Sequence, residues 1–146
     1  MSGSGEATAL ATTEDDRRAA ERGQATRDFD SVVERYLATW NETDPAARRA
    51  AIDELFAADV RYVDPLAAVD GRDALHGLIG AVHQQFPGFV FTAGGPVDAH
   101  HEQARFTWNL GVPGEEPPVI GFDVAELDAD GRIQRVLGFI DKAPAA

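Results

Sequence analysis

The chain has 146 residues, enough for one domain with a real core and too few for two. It contains no cysteine, which excludes a disulfide framework and thiolate metal sites. A formal net charge of -12 repels phosphate backbones, so nucleic acid is not an expected partner, whereas a neutral, largely apolar small molecule is.

Residues 1–26 are mostly Gly, Ala, Thr and charge, with no stripe dense enough to bury, and read as a disordered tail. No apolar run approaches the roughly 18 residues of a membrane span. The start also lacks the apolar centre of a secretory signal, so the expected location is cytoplasmic, without membrane attachment. One folded domain is expected over residues 27–143.

From Phe29 the apolar residues fall on helical spacing through Val32, Val33, Tyr36, Leu37 and Trp40. Asp44-Pro45 reads as the cap and first residue of a second helix, which carries Ile52, Leu55 and Phe56 and ends near Asp59. The period then changes to two. Val60, Tyr62 and Asp64 share one strand face, Arg61 and Val63 the other, and Pro65 stops the ladder.

Gly71-Arg72-Asp73 opens a third helix with Leu75, Leu78, Ile79, Val82 and Phe86 on one side, and Pro87-Gly88 closes it. Residues 89–99, 103–112, 119–127 and 133–141 read as strands, the first interrupted by Gly94-Gly95-Pro96. Helices first and long antiparallel strands after them is an α+β pattern. The expected architecture is a cone-shaped, curved, mixed or antiparallel sheet with three helices on its concave face, enclosing a pocket.

Several motifs carry no chemistry. Gly131 stands where a calcium loop has its glycine, but the twelfth position is Leu137 and the flanks are strands, so a hairpin turn is the better reading. His100 and His101 point to opposite faces of a strand end. His76 and His83 lie about 10 Å apart along a helix, too far for one ion. No metal and no cofactor is implied. Asn41-Glu42-Thr43 is a glycosylation sequon without a secretory signal to use it.

Two acids stand in apolar company. Asp64 shares the inward face of Val60 and Tyr62, and Asp123 is the lone charge of an otherwise apolar strand. Such a carboxylate needs a partner, an exposed face or a chemical role, and burial raises its pKa. Asp64 also reads as a turn carboxylate before Pro65. Tyr36 and Trp40 present a phenol and an indole one helical turn apart. Phe86, Phe89, Phe91, Phe106, Trp108 and Phe139 line a cavity or fill the core.

The run Phe56-Ala57-Ala58-Asp59-Val60-Arg61-Tyr62-Val63-Asp64-Pro65, then Gly71, then Asp128-Ala129-Asp130-Gly131-Arg132-Ile133, resembles the nuclear transport factor 2-like superfamily, including ketosteroid isomerases and SnoaL-like polyketide cyclases. The resemblance covers roughly residues 28–142. It implies Asp64 as general base, Asp123 as a protonated hydrogen-bond donor and Tyr36 as a second donor, with Trp40 as the alternative to Tyr36. Trp40, Tyr62, Phe86, Trp108 and Asn109 are the expected substrate-binding residues. A cyclase reading keeps Asp123 and pairs it with Asn109 or Thr107 on the neighbouring strand.

The implied activity is cofactor-free proton movement on an apolar cyclic carbonyl compound, of isomerase or cyclase type. A non-catalytic ligand-binding domain is the alternative. Cofactor-free epoxide hydrolysis is disfavoured, because the inward arginine flanked by carboxylates that it needs has no clear match, Arg105 being the only candidate on a middle strand. The resemblance also implies a homodimer through the convex sheet face, around Phe122 and Val124.

Overall fold

The computed structural model describes the backbone of residues 2–144, and the side chains of residues 13–24 and 28–144. Three helices accompany a seven-stranded curved sheet that does not close. The helices are α1 (Ser2–Asn41), α2 (Pro45–Leu55) and α3 (Arg72–Gln85). The strands are β1 (Phe56–Val63), β2 (Ala68–Asp70), β3 (Val90–Ala93), β4 (Asp98–His100), β5 (Gln103–Gly111), β6 (Val119–Leu127) and β7 (Ile133–Lys142). Their order is β2-β1-β7-β6-β5-β3, with β4 also paired to β5. Only β1 and β7 run parallel, so the sheet is mixed.

The apolar stripe of α1 buries Phe29, Val33, Tyr36, Leu37 and Trp40. The helix bounds reach back to Ser2, within the stretch of residues 1–26 that composition reads as a tail. Residues 13–24 are almost wholly exposed, so burial does not hold them; alanines, arginines and the Glu14–Arg18 pair at 2.9 Å favour helix locally.

Asp44 caps α2 as expected, its Oδ2 accepting from the Ala47 N–H at 2.9 Å, with Pro45 in the first turn. The helix stops at Leu55 rather than near Asp59. Phe56 is instead taken into the ladder opposite Ile133 of β7, and both side chains are fully buried. Arg72, at the start of α3, donates to the carbonyls of Phe56 and Asp53, satisfying groups that the end of α2 leaves free.

Gly94 and its neighbours divide residues 89–99 into two strands that both pair with β5. The Gly94 N–H donates to the Thr107 carbonyl at 2.8 Å, and a Cβ on Gly94 would stand 2.7 Å from Thr107 Cγ2. Only glycine fits that bend. The Asp128–Gly131 turn is a hairpin, with Asp128 Oδ1 accepting from the N–H groups of Asp130 and Arg132. β2 is short and was not expected; Arg61 anchors it through Asp70 at 2.8 Å.

Candidate active site

The pleat decides what faces the hollow between helices and sheet. On β6, Val119, Gly121, Asp123 and Ala125 point inward, so Asp123 sits among small and apolar neighbours and is 2% exposed. On β5, Phe106, Trp108 and Leu110 point inward. Tyr62 faces in from β1, and Asp64 follows at its end. From α1 come both Tyr36 and Trp40. Of these, Tyr36, Trp40, Tyr62, Asp64, Trp108, Leu110, Val119 and Asp123, with Phe86, Phe91 and Ile140, line a largely apolar cavity of about 330 Å³; Pro65, Leu66 and Pro144 also line it.

Two phenol–carboxyl pairs stand in its wall. The Tyr36 hydroxyl donates to Asp123 Oδ2 at 2.7 Å, and the Tyr62 hydroxyl donates to Asp64 Oδ2 at 2.7 Å. Asp64 Oδ1 accepts further from the N–H groups of Leu66 and Ala67, both at 2.8 Å. Asp64 is therefore a turn carboxylate and a cavity residue at once. Three donors are aimed at it.

Asp123 is in a different position. Burial, above all, pushes its pKa up to about 6; the Tyr36 hydroxyl and Trp108 indole draw it down, and the nearby Asp64 charge pushes it up. The indole influences the carboxyl without completing a bond, since Asp123 Oδ1 is buried with no hydrogen-bond partner. Burial also raises both phenols, Tyr36 and Tyr62, well above their ordinary value, helped by the Asp123 charge. They remain donors throughout the neutral range.

Gly138 on β7 brings the two acids together. It lies opposite Asp123 in the β6–β7 ladder, and a Cβ there would sit 2.8 Å from Asp123 Oδ1 and 3.2 Å from Asp64 Cβ. The bare backbone lets two carboxyl groups from β1 and β6 share one patch of wall. Gly138 was not among the expected site residues; its one signal in the sequence is a glycine inside an otherwise regular strand.

Asp64, Asp123, Tyr36, Trp40, Tyr62, Phe86 and Trp108 all reach the cavity. Asn109 does not: as a neighbour of Trp108 on a strand it points to the opposite face, so of the two expected β5 residues the structure brings only Trp108 to the hollow. Thr107 shares that outward face. Arg105 is exposed and paired with Asp98 at 3.1 Å, so no arginine from β5 enters the hollow. Phe139 is turned outward, and Phe106 lies beneath Tyr36 with ring centres 5.3 Å apart. Asn41 is structural. Its amide donates to the Phe91 carbonyl and accepts from the Phe91 N–H, both at 2.8 Å, which fixes a cavity ring. Among the described residues no group of three His, Asp or Glu side chains is placed to hold a metal ion.

A family model described as a SnoaL-like domain matches residues 33–136. A structure from Agrobacterium tumefaciens, named as a candidate isomerase of the SnoaL-like family, is 37% identical, covering 79% of this chain and 98% of its own, with a TM-score of 0.76. One from Jannaschia, named as a candidate SnoaL-like polyketide cyclase, is 18% identical over 80% of this chain and 88% of its own, at a TM-score of 0.64. One from Sinorhizobium meliloti, named as a candidate polyketide cyclase, is 21% identical over 76% and 97%, at 0.60. The last two show likeness of fold alone. No functionally curated protein matches the sequence.

Proposed function

The chain belongs to the SnoaL-like domain family, and from that premise we propose that it is a small-molecule enzyme moving a proton on an apolar cyclic carbonyl compound. The observation that carries this is the pair of unlike carboxyl groups flanking Gly138 in one apolar cavity. One accepts three hydrogen bonds; the other is buried and holds its proton up to about pH 6. Two acids in contrasting surroundings are the arrangement that divides base from acid.

Asp64 takes a proton from the carbon beside the carbonyl, and the electron pair of that C–H bond moves toward the carbonyl oxygen. Protonated Asp123 donates a hydrogen bond to the oxygen as charge gathers there. Asp64 then returns its proton to carbon, at the same position for exchange or at a conjugated one for isomerisation. The product has the same atoms as the substrate. The phenol of Tyr36 orients the Asp123 carboxyl through Oδ2.

A second reading, a ligand-binding domain without catalysis, is favoured by one observation: the Leu66 and Ala67 amides give Asp64 a role in holding the turn. The two readings separate on one measurement. With 2-cyclohexenone in D₂O, followed by NMR, Asp64→Asn should slow protein-dependent deuterium incorporation by about 10²-fold or more. Equal rates for variant and wild type would remove the enzyme reading and leave the binding domain. The proposal includes a second copy of the chain on the convex sheet face. It also includes a cytoplasmic setting, which the absence of cysteine supports; no described helix is long and apolar enough to cross a membrane.

A further inference from the structure

Leu66 is a large apolar side chain left 81% exposed, yet it belongs to the lining of the cavity. Asp123, in the same lining, is 2% exposed. The two mark the outer and inner ends of one continuous surface, so the cavity opens at the turn that follows β1. Pro65 stands beside Leu66, and Ala143 and Pro144, just past the end of β7, add to an exposed apolar rim.

That turn is closed by Asp64. The Asp64 N–H donates to the Ala67 carbonyl at 2.8 Å, while Asp64 Oδ1 accepts from the N–H groups of Leu66 and Ala67, both at 2.8 Å. An exposed leucine by itself needs no explanation. This one is pinned by its own backbone at the mouth of an apolar cavity, on a carboxylate that also lines that cavity. The hollow of about 330 Å³ lies at the low end of the range for small-molecule sites. A ligand that fits wholly inside leaves Leu66 in water, and a longer one covers it.

We propose that Leu66 is a specificity-determining residue, and that the rim it forms with Pro65, Ala143 and Pro144 is an outer subsite for an alkyl tail. The substrate is then a ring ketone bearing a hydrocarbon chain on the side remote from its carbonyl. A carboxylate or phosphate at that end is repelled, because Asp64 stands at the same turn in a chain of formal charge -12. Contact with Leu66 also bears on the turn whose N–H groups hold Asp64. Part of the tail's binding is therefore expressed in the placement of the base, and a longer tail raises kcat as well as lowering KM. This inference rests on the proton-transfer reading for the direction of the ligand and for the effect on kcat, and not for the binding preference.

Calorimetric titration with 4-methylphenol and 4-pentylphenol reads binding alone. Wild type should hold the pentyl compound at least about tenfold more tightly, from the added methylenes. The same phenol with a carboxylate ending its chain should show no such gain. Leu66→Ala keeps the N–H that Asp64 accepts and removes only an exposed side chain, so its fold is not at stake. It should lose about tenfold more affinity for 4-pentylphenol than for 4-methylphenol. Deuterium incorporation into 4-pentyl- and 4-methylcyclohexanone should show a higher kcat for the pentyl ketone, and Leu66→Ala should narrow that difference. Equal affinity of wild type for the two phenols, failure to bind 4-pentylphenol, or equal loss for both in Leu66→Ala overturns the outer subsite. A change confined to KM overturns its link to Asp64. Loss of the tail preference with Asp64-dependent exchange of 2-cyclohexenone intact leaves the enzyme reading standing; failed exchange with the preference intact leaves a binding domain selective for tailed rings.

Discussion

Asp123 links pH, stability and rate through its burial. Its pKa is about 6 in the folded chain against 3.8 for an ordinary aspartate, so between pH 4 and 6 the folded chain holds a proton that the unfolded chain has released. Stability from this group is therefore greatest below about pH 4, declines toward pH 6, and is level above it. The two-unit shift corresponds to about 3 kcal/mol. Asp123→Asn cannot ionise and still offers Tyr36 an oxygen, so urea unfolding at pH 8 should show it more stable than wild type by about 2 kcal/mol. At pH 4 the difference should largely vanish. Rate runs the other way. If Asp123 donates as the acid, kcat/KM falls about tenfold per pH unit above pH 6, and Asp123→Asn loses that limb along with most of the activity. Gly138→Ala tests how the acids are brought together, because the new methyl would contact Asp123 Oδ1 and Asp64 Cβ. It should cost about 1–3 kcal/mol in urea unfolding and slow exchange as well, because both carboxyl groups are displaced. The inward placement of Asp64 and Asp123 was legible in the sequence because a charge on an inward face of an apolar strand is conspicuous, and that of Tyr36 because it keeps helical spacing with Val33 and Trp40. Asn109 falls on the other face from Trp108, which strand alternation dictates for adjacent residues. Gly138 escaped notice because a missing side chain signals nothing until its neighbours are known.

The three helices are joined at one polar point that no sequence pattern announces. Arg48 of α2 is 5% exposed, and among the described residues its partners are a carbonyl and two imidazoles rather than a carboxylate. Its Nη1 donates to the Glu42 carbonyl at 2.9 Å and approaches His83 Nδ1 at 3.4 Å, while Nε donates to His76 Nδ1 at 3.4 Å. His83 in turn donates from Nε2 to the Trp40 carbonyl, which fixes its tautomer and ties α3 to the end of α1. Gly80 makes space for the guanidinium, whose Nη2 would lie 3.3 Å from a Cβ there. Arg48 and Arg49 read alike in the sequence, yet Arg49 reaches outward to Asp53 and Asp73. Arg48→Ala leaves a buried carbonyl and two imidazole nitrogens without their donor, so chemical denaturation should show a loss of about 2–4 kcal/mol. Arg49→Ala, losing exposed ion pairs, should cost under about 1 kcal/mol. Elements with a single clear period were legible to the residue, β6 above all. The end of α2 was not, because Ile52, Leu55 and Phe56 keep helical spacing while Phe56 already belongs to the parallel ladder with β7.

At the scale of the whole chain, charge and the outer sheet face oppose each other. The convex side carries Phe122 and Phe139 stacked with ring centres 5.0 Å apart, opposite each other in the β6–β7 ladder, with Val124 and Leu137 next in register. Phe139 is 53% exposed, a large apolar surface with nothing among the described residues to cover it. Covering that stripe with a second copy brings together two chains of formal charge -12, and their repulsion weakens as salt shortens the screening length. Association through this face should therefore tighten with ionic strength, the reverse of a dimer held by ion pairs. Sedimentation at about 0.05 M and about 0.5 M salt, where the screening length falls from over 10 Å to under 5 Å, should show a larger dimer fraction at the higher value. Phe139→Asp adds a charge to the stripe and should leave a monomer at both. The cavity lies on the other side of the sheet, so this variant should keep its Asp64-dependent deuterium exchange. A wild-type chain that stays monomeric in both salts at high concentration would remove the homodimer, and the outer aromatic pair would then stand as exposed surface beside an unaffected site.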